Sequence, residues 1–429
     1  MRSPKKRVPQ PERKLPVRVF LVLITIALAA GSLSTKAAGV FWFALLLVGL
    51  WSWVTRPQRA PDDGAAMALS RTLAYAWLLF CLLALLLKAI PVLYWSAPWE
   101  ERHAELRLLL GAAGVWLILR HVRPRPADWA MVGHGLAMAC VLALALVLVK
   151  TSDAAPTNRI PWAAGISLLS CTLLYLSYAI EPGGLRALWW RFASFLALVA
   201  VAFSGVRGSY FLLVFWPLLV LLLHWQQTRR SPAAAGPRAW TWLLLPLALG
   251  AIVWTAERLP AGYFPNVRIQ QALQEGLARD VNSASGSRLA MWQAAMQAID
   301  DSPLLGRGYE GGKGLLRQTA EKTQSHEIAR LGHFHSDYLH AAVEFGLLGL
   351  ASYVCFAVGL AFMAWVCLRR KAPAAAIGLT GLLAMHASTG LTNVNFAHNY
   401  YPTVLSLCVS LVLLFCAMDG AREPASAQV

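Results

Sequence analysis

The chain has 429 residues, of which 58% are hydrophobic and only 14% charged, and its net charge is +17. A soluble domain carries about 25% charged residues, which excludes an ordinary soluble fold. A β-barrel is excluded too, because no runs alternate with the period of two that a lipid-facing strand needs.

The apolar runs instead predict an all-α polytopic membrane protein with about twelve transmembrane helices. In chain order they cover 17–35, 37–54, 69–90, 105–119, 131–150, 161–180, 188–203, 209–224, 240–256, 341–367, 374–390 and 402–418. The first run follows a basic tail and precedes small residues, yet so many spans follow that a retained helix is expected in place of a cleaved signal. With the N-terminus inside, the basic short connections "RHVRPRPADW", "HWQQTRRSPAAAGPR" and "LRRKAP" all fall on the inner side. There they suit anionic lipid headgroups, and no motif accompanies them that would point to a nucleic-acid partner. The organisation is therefore 1–256, spans one to nine; 257–340, a polar, helix-patterned loop on the outer face; and 341–429, spans ten to twelve with a short inner tail. A second outer connection, 88–107, has the composition of an interfacial piece with Trp95 and Trp99 as anchors. Cys81, Cys140, Cys171, Cys355, Cys367, Cys408 and Cys416 all lie in apolar runs, so neither a disulfide framework nor a zinc site is expected.

Residues able to do chemistry gather in the outer connections. Arg159, before span six, and Arg207, in the short connection "SGVRGSY", oppose the charge bias; a guanidinium fork suits phosphate oxygens, with headgroup contact as the alternative. Gly205 and Gly208 permit a tight turn there, and Ser209 is placed to cap the next helix. In 283–312, Ser285 or Ser287 caps a helix on which Arg288, Trp292 and Ala295 share a face. Arg288 then falls in the first turn, a poor place for a cation, which either a nearby anion or a surface ion pair explains. The glycines of "GRGYEGGKG" mark a turn-rich loop. In "GHFHSDYLHAAVEFGLLG" (332–349), Ser336 is an N-cap and His335 precedes the helix. The helix terminus favours the neutral imidazole, which suits a general base; the plain alternative is an interfacial histidine with no task. His333 and His340 are weaker candidates, while Gly346 and Gly349 are spaced to let another helix approach. In 391–402, Asn, His and Tyr side chains suit either sugar hydroxyls or an aromatic belt. Together these residues suggest a base facing a pyrophosphate. The outer side has no Asp-x-Asp pair to hold a divalent ion, so no metal or other cofactor is expected.

Three of these stretches carry a family resemblance. His335, Ser336, Gly346 and Gly349 match the signature His, Asn/Ser/Gln, nine residues, Gly, two residues, Gly/Thr/Tyr of the bacterial O-antigen ligase family. Arg288, Trp292, Pro303, Gly306 and Gly308 resemble its Arg-x3-Trp…Pro-Leu-x-Gly-x-Gly segment, and "SGVRGSY" its earlier Arg-containing loop. The resemblance implies a GT-C-like glycosyltransferase of the bacterial inner membrane whose active site faces the periplasm. It would move O-polysaccharide from undecaprenyl pyrophosphate to a sugar hydroxyl of lipid A-core, without metal and with inversion. His335 would be the general base, and Arg207 and Arg288 would hold the departing pyrophosphate; Arg159 is added from charge placement alone. Polymerases and protein O-oligosaccharyltransferases of the same superfamily are the sister activities. The former commonly carry two large periplasmic loops and the latter tend to extra C-terminal sequence, which favours the ligase. A polyprenyl-lipid transporter would want ionisable groups near mid-membrane, and the span interiors are nearly free of charge.

Overall fold

The computed structural model describes residues 35–55, 65–121, 126–149, 158–179, 184–230, 239–258 and 280–419, with isolated positions in 26–33 and 274–278. The helices are α1 (Thr35–Thr55), α2 (Ala65–Tyr94), α3 (His103–His121), α4 (Pro126–Val149), α5 (Arg159–Ala179), α6 (Leu185–Phe203), α7 (Phe211–Arg230), α8 (Ala239–Arg258), α9 (Ala284–Asp301), α10 (Gly308–Thr323), α11 (His326–Ala329), α12 (Asp337–Arg369), α13 (Pro373–Thr392) and α14 (Tyr400–Asp419). Short 3-10 turns stand at Trp99–Arg102 and Arg207–Ser209, and the described residues contain no strand. Each expected span from the second onward falls on a helix, while the first lies largely outside the described residues. By length and composition, α2, α4, α5, α6, α7, α12 and α13 can cross a membrane.

Two helices form the axis of the bundle. Every residue of α5 from Pro161 to Tyr178 is buried, and so are Tyr400 to Cys416 of α14. Such helices need neighbours all round, and apolar residues on every face supply them. Hydroxyls tie the neighbours together: Ser170 Oγ donates to the Ser194 carbonyl at 2.9 Å, and Trp216 Nε1 donates to Ser194 Oγ at 2.8 Å. Hydrogen bonds of this kind hold helices together where lipid removes the hydrophobic drive.

At one end of the bundle, α9, α10, α11 and the first turns of α12 share a second core of Met291, Ala295, Leu316, Ala320, Ile328, Phe334 and Val343. Several expectations are corrected here. "GRGYEGGKG" opens α10 and does not form a loop, and Gly312 brings that helix against the Glu344 side chain, where a Cβ would stand 2.9 Å from Cγ. Gly346 does not serve a helix crossing: it breaks α12 with φ 65° and ψ −159°. The backbone of 303–307 docks into that break, with Leu347 N–H donating to the Pro303 carbonyl at 2.7 Å and Arg307 N–H to the Val343 carbonyl at 2.8 Å. Trp95 is committed to the same loop, its indole N–H donating to the Leu305 carbonyl at 2.8 Å. Its N–H is thus paired within the protein while the ring stays 41% exposed; the Trp99 side chain lies outside the described residues.

Candidate active site

Three separate segments build the site. The first is the turn Arg207–Ser209, entered through Gly205 at φ 74° and packed against α5 and α13. Arg207 is half-buried there. Ser209 does not cap α7 as its position suggests; its hydroxyl is fully buried and has no hydrogen-bond partner among the described residues.

The second segment is α9. Its cap is Ser283, whose hydroxyl accepts from Gly286 N–H at 3.0 Å, and not Ser285 or Ser287. Arg288 consequently sits beyond the first turn, where the terminal dipole has faded. One turn on, and on the same face, Trp292 Nε1 donates to the Phe334 carbonyl at 2.8 Å. A residue and its i+4 neighbour share a helix face, so the Arg-x3-Trp spacing clamps the backbone beside His335 with one side chain and presents a guanidinium with the other.

The third segment is the approach to α12. His335 has φ 50°, a left-handed conformation costly for a side chain larger than glycine. Both flanks hold it there. Trp292 fixes Phe334, and Ser336 caps α12 as expected, accepting from Leu339 N–H at 3.4 Å. Asp337, buried to 3% exposure, is central to the site although sequence reasoning missed it. Its N–H donates to the Asn393 carbonyl at 2.9 Å, and its carboxylate accepts from Asn395 N–H at 3.0 Å and Phe396 N–H at 3.1 Å. An acid two residues after a histidine is the only sequence signal for it. This fastens 393–396 to the start of α12. Asn395 completes the tie by donating to Thr389 Oγ1 at 3.1 Å. Tyr400 and Tyr401 are buried, so this stretch offers neither the open sugar-binding tyrosines nor the aromatic belt that its composition suggested.

Imidazoles cluster around His335. The His333 ring lies 4.4 Å away centre to centre, and 6.4 Å and 6.5 Å from the His340 and His398 rings. His335 is 8% exposed and its Nδ1 has no hydrogen-bond partner among the described residues. Burial first, then the neighbouring His333 and Arg288, push its pKa down to about 3. His333 falls to about 4 for the same leading reason, with His398 and Arg288 adding to it. Both rings are therefore neutral near pH 7, and burial, more than the helix terminus, is the cause. Arg288 has its own pKa lowered by burial and then by Arg207. Two guanidiniums thus bear on each other beside a neutral imidazole, and an anion between them would relieve the repulsion. The structure brings Arg288 within electrostatic reach of both His335 and Arg207. Arg159 opens α5, the helix packed against the Arg207 turn, at the same end of the bundle. Among the described residues no three His, Cys, Asp or Glu side chains are grouped to hold a metal ion.

These features define a class: a polytopic all-α membrane protein with a cluster of imidazoles and guanidiniums at one end of its bundle. Residues 192–354 match the model of the O-antigen ligase family (Wzy_C), which supports membership of the O-antigen ligase superfamily and a glycosyl-transferring role in O-antigen processing. The matched segment contains Arg207, Arg288 and His335, and Arg159 precedes it. No curated protein matches the chain.

Proposed function

We propose that the protein is an O-antigen ligase of the bacterial inner membrane. It would transfer O-polysaccharide from undecaprenyl pyrophosphate to a sugar hydroxyl of lipid A-core, with residues 257–340 and the site on the periplasmic side. The observation that supports the proposal is the buried His335, 8% exposed with Nδ1 unpartnered among the described residues, on a segment that the Arg288 helix clamps through Trp292.

His335 takes the proton of the acceptor hydroxyl as its oxygen attacks the anomeric carbon. The bond from that carbon to the diphosphate breaks, and its electron pair leaves on the diphosphate, held by Arg207 and Arg288. Attack from the face opposite the leaving group inverts the anomeric centre. Guanidiniums supply the positive charge that a divalent ion supplies in other glycosyltransferases, which supports a metal-independent reaction. Arg159 extends the same positive field. The histidine is also conditional. Arg288 and burial hold its proton affinity low, and a bound diphosphate offsets the Arg288 charge, so donor binding raises the basicity of His335 when a base is needed. Both substrates are lipid-tethered, so their head groups meet at the membrane surface, which is where the site must stand.

The test uses purified protein and His335→Ala with undecaprenyl-pyrophosphate-linked O-antigen and lipid A-core in EDTA, followed by the gel shift of lipopolysaccharide. Transfer by the wild type, reduced about 10²-fold or more in the folded variant, is expected. Full activity of the variant removes His335 from the chemistry. Transfer only to growing polysaccharide, or only to protein, reassigns the chain to polymerase or protein O-oligosaccharyltransferase.

A further inference from the structure

The tightest contact around the Arg207 turn is at the next residue. A Cβ on Gly208 would stand 2.2 Å from Thr392 Oγ1 and 2.7 Å from Asn393 Oδ1, so glycine here lets those side chains close on the turn as they do. What closes on it is polar. Ser209 Oγ, Thr392 Oγ1 and Asn393 Nδ2 are all buried, and none has a hydrogen-bond partner among the described residues. Ser209 is 0% and Asn393 1% exposed. Leaving one such group unpaired costs about 1–3 kcal/mol, so three on or against one turn need a reason.

Their backbone is not loose. The Asn393 carbonyl accepts from Asp337 N–H at 2.9 Å, and the Asp337 carboxylate holds the two amides that follow at 395 and 396. The hydrogen bonds of the fold place the Asn393 main chain, while its side-chain Nδ2, against Gly208, has no partner among the described residues. Each of the three groups can donate, and each stands within two residues of Arg207 or against its turn. Unpartnered donors on and against the turn that carries a guanidinium suit a phosphate oxygen. The carbonyls ending α13 oppose an anion by roughly half a charge, which the full charge of Arg207 outweighs.

We propose that Ser209, Thr392 and Asn393 form a hydrogen-bonding wall for the diphosphate of an isoprenoid-linked donor, with Gly208 as the hinge point that lets the wall reach it. The proposal rests on the ligase reading and adds the groups that read the diphosphate once Arg207 has attracted it. The wall also joins base to leaving group. His335 leads through Ser336 to Asp337, Asp337 holds Asn393, and Asn393 lies against the Arg207 turn.

The test measures binding of farnesyl diphosphate and farnesyl monophosphate to the full chain in detergent, for wild type, Ser209→Ala, Thr392→Val, Asn393→Ala and Arg207→Ala. Thr392→Val keeps the shape of the side chain and Ser209→Ala removes one atom, so the folded state survives in at least these two, checked by an unchanged thermal midpoint. Thr392→Val and Asn393→Ala are each expected to weaken diphosphate binding about tenfold and monophosphate binding less, because a wall that spans two phosphates has less to hold in one. Wild-type affinity in Ser209→Ala, Thr392→Val and Asn393→Ala alongside loss in Arg207→Ala overturns the wall and leaves the ligase reading standing. Absence of diphosphate binding by the wild type overturns both. Displacement of farnesyl diphosphate by phosphatidylglycerol at equal concentration would mean that the groups read a lipid headgroup, which also overturns the proposal.

Discussion

Gly306 and Gly346, forty residues apart in the chain, meet backbone to backbone, each at φ 65°. A Cβ on Gly306 would lie 2.5 Å from Gly346 N, and one on Gly346 would lie 2.6 Å from Gly306 N. Neither can carry a side chain, for reasons of both conformation and space. Either glycine to alanine is expected to destabilise the protein by about 2–4 kcal/mol, since a positive φ and a backbone clash both have to be accommodated. The measurement is the thermal midpoint in detergent; a midpoint within a degree of wild type would show that the contact is dispensable.

Trp292→Phe removes one donor and keeps an aromatic ring. The Phe334 carbonyl then loses its 2.8 Å bond, and the left-handed turn at His335 loses a flank. The expected result is a fall of about tenfold in kcat with little change in donor KM, because misplacing a reacting group costs turnover before it costs binding. A rise in KM alone would assign Trp292 to substrate contact instead.

Asp337→Asn places an amide NH2 against one of two backbone donors, Asn395 N–H or Phe396 N–H, that the carboxylate now satisfies. A donor facing a donor in a buried site should cost about 2–3 kcal/mol. It should also loosen 393–396 enough to lower transfer. Hydrogen exchange at these amides, faster in the variant, distinguishes this from a general loss of fold.

Acid should destabilise the site in a defined window. His333 and His335 have folded pKa values pushed down to about 4 and about 3, against an ordinary value near 6.5. Between those limits the unfolded chain binds protons that the folded chain refuses, so stability is full above about pH 6.5 and falls as pH drops toward the folded values. The slope is up to about 1.4 kcal/mol per pH unit for each ring. A His333→Asn, His335→Asn double variant should show a shallower decline from pH 7 to 5 than wild type, and identical declines would mean that neither ring is held neutral.

Much of this is legible in the order of the amino acids. The long helices of the bundle are visible as apolar runs, and Ser336 as a cap, because both depend on residues within a turn or two of each other. The places where local patterning misleads are those where a distant partner decides. "GRGYEGGKG" has the composition of a loop, yet it opens a helix, and Gly312 packs that helix on Glu344. Ser209 sits where a cap belongs, but the 3-10 turn delays α7 to Phe211 and leaves the hydroxyl unpartnered.

By itself the sequence determined that this is a helical membrane protein, since twenty apolar residues without charge have no other stable home and a helix satisfies its own hydrogen bonds. It also determined which segments hold His335, Arg207 and Arg288. Only tertiary structure decided that these three, from segments up to about 130 residues apart, come within electrostatic reach through Arg288, that burial keeps the imidazole neutral, and that Asp337 fastens the His335 segment to the loop behind the Arg207 turn. Burial and charge–charge contact depend on which surfaces meet, and no period along the chain encodes that meeting.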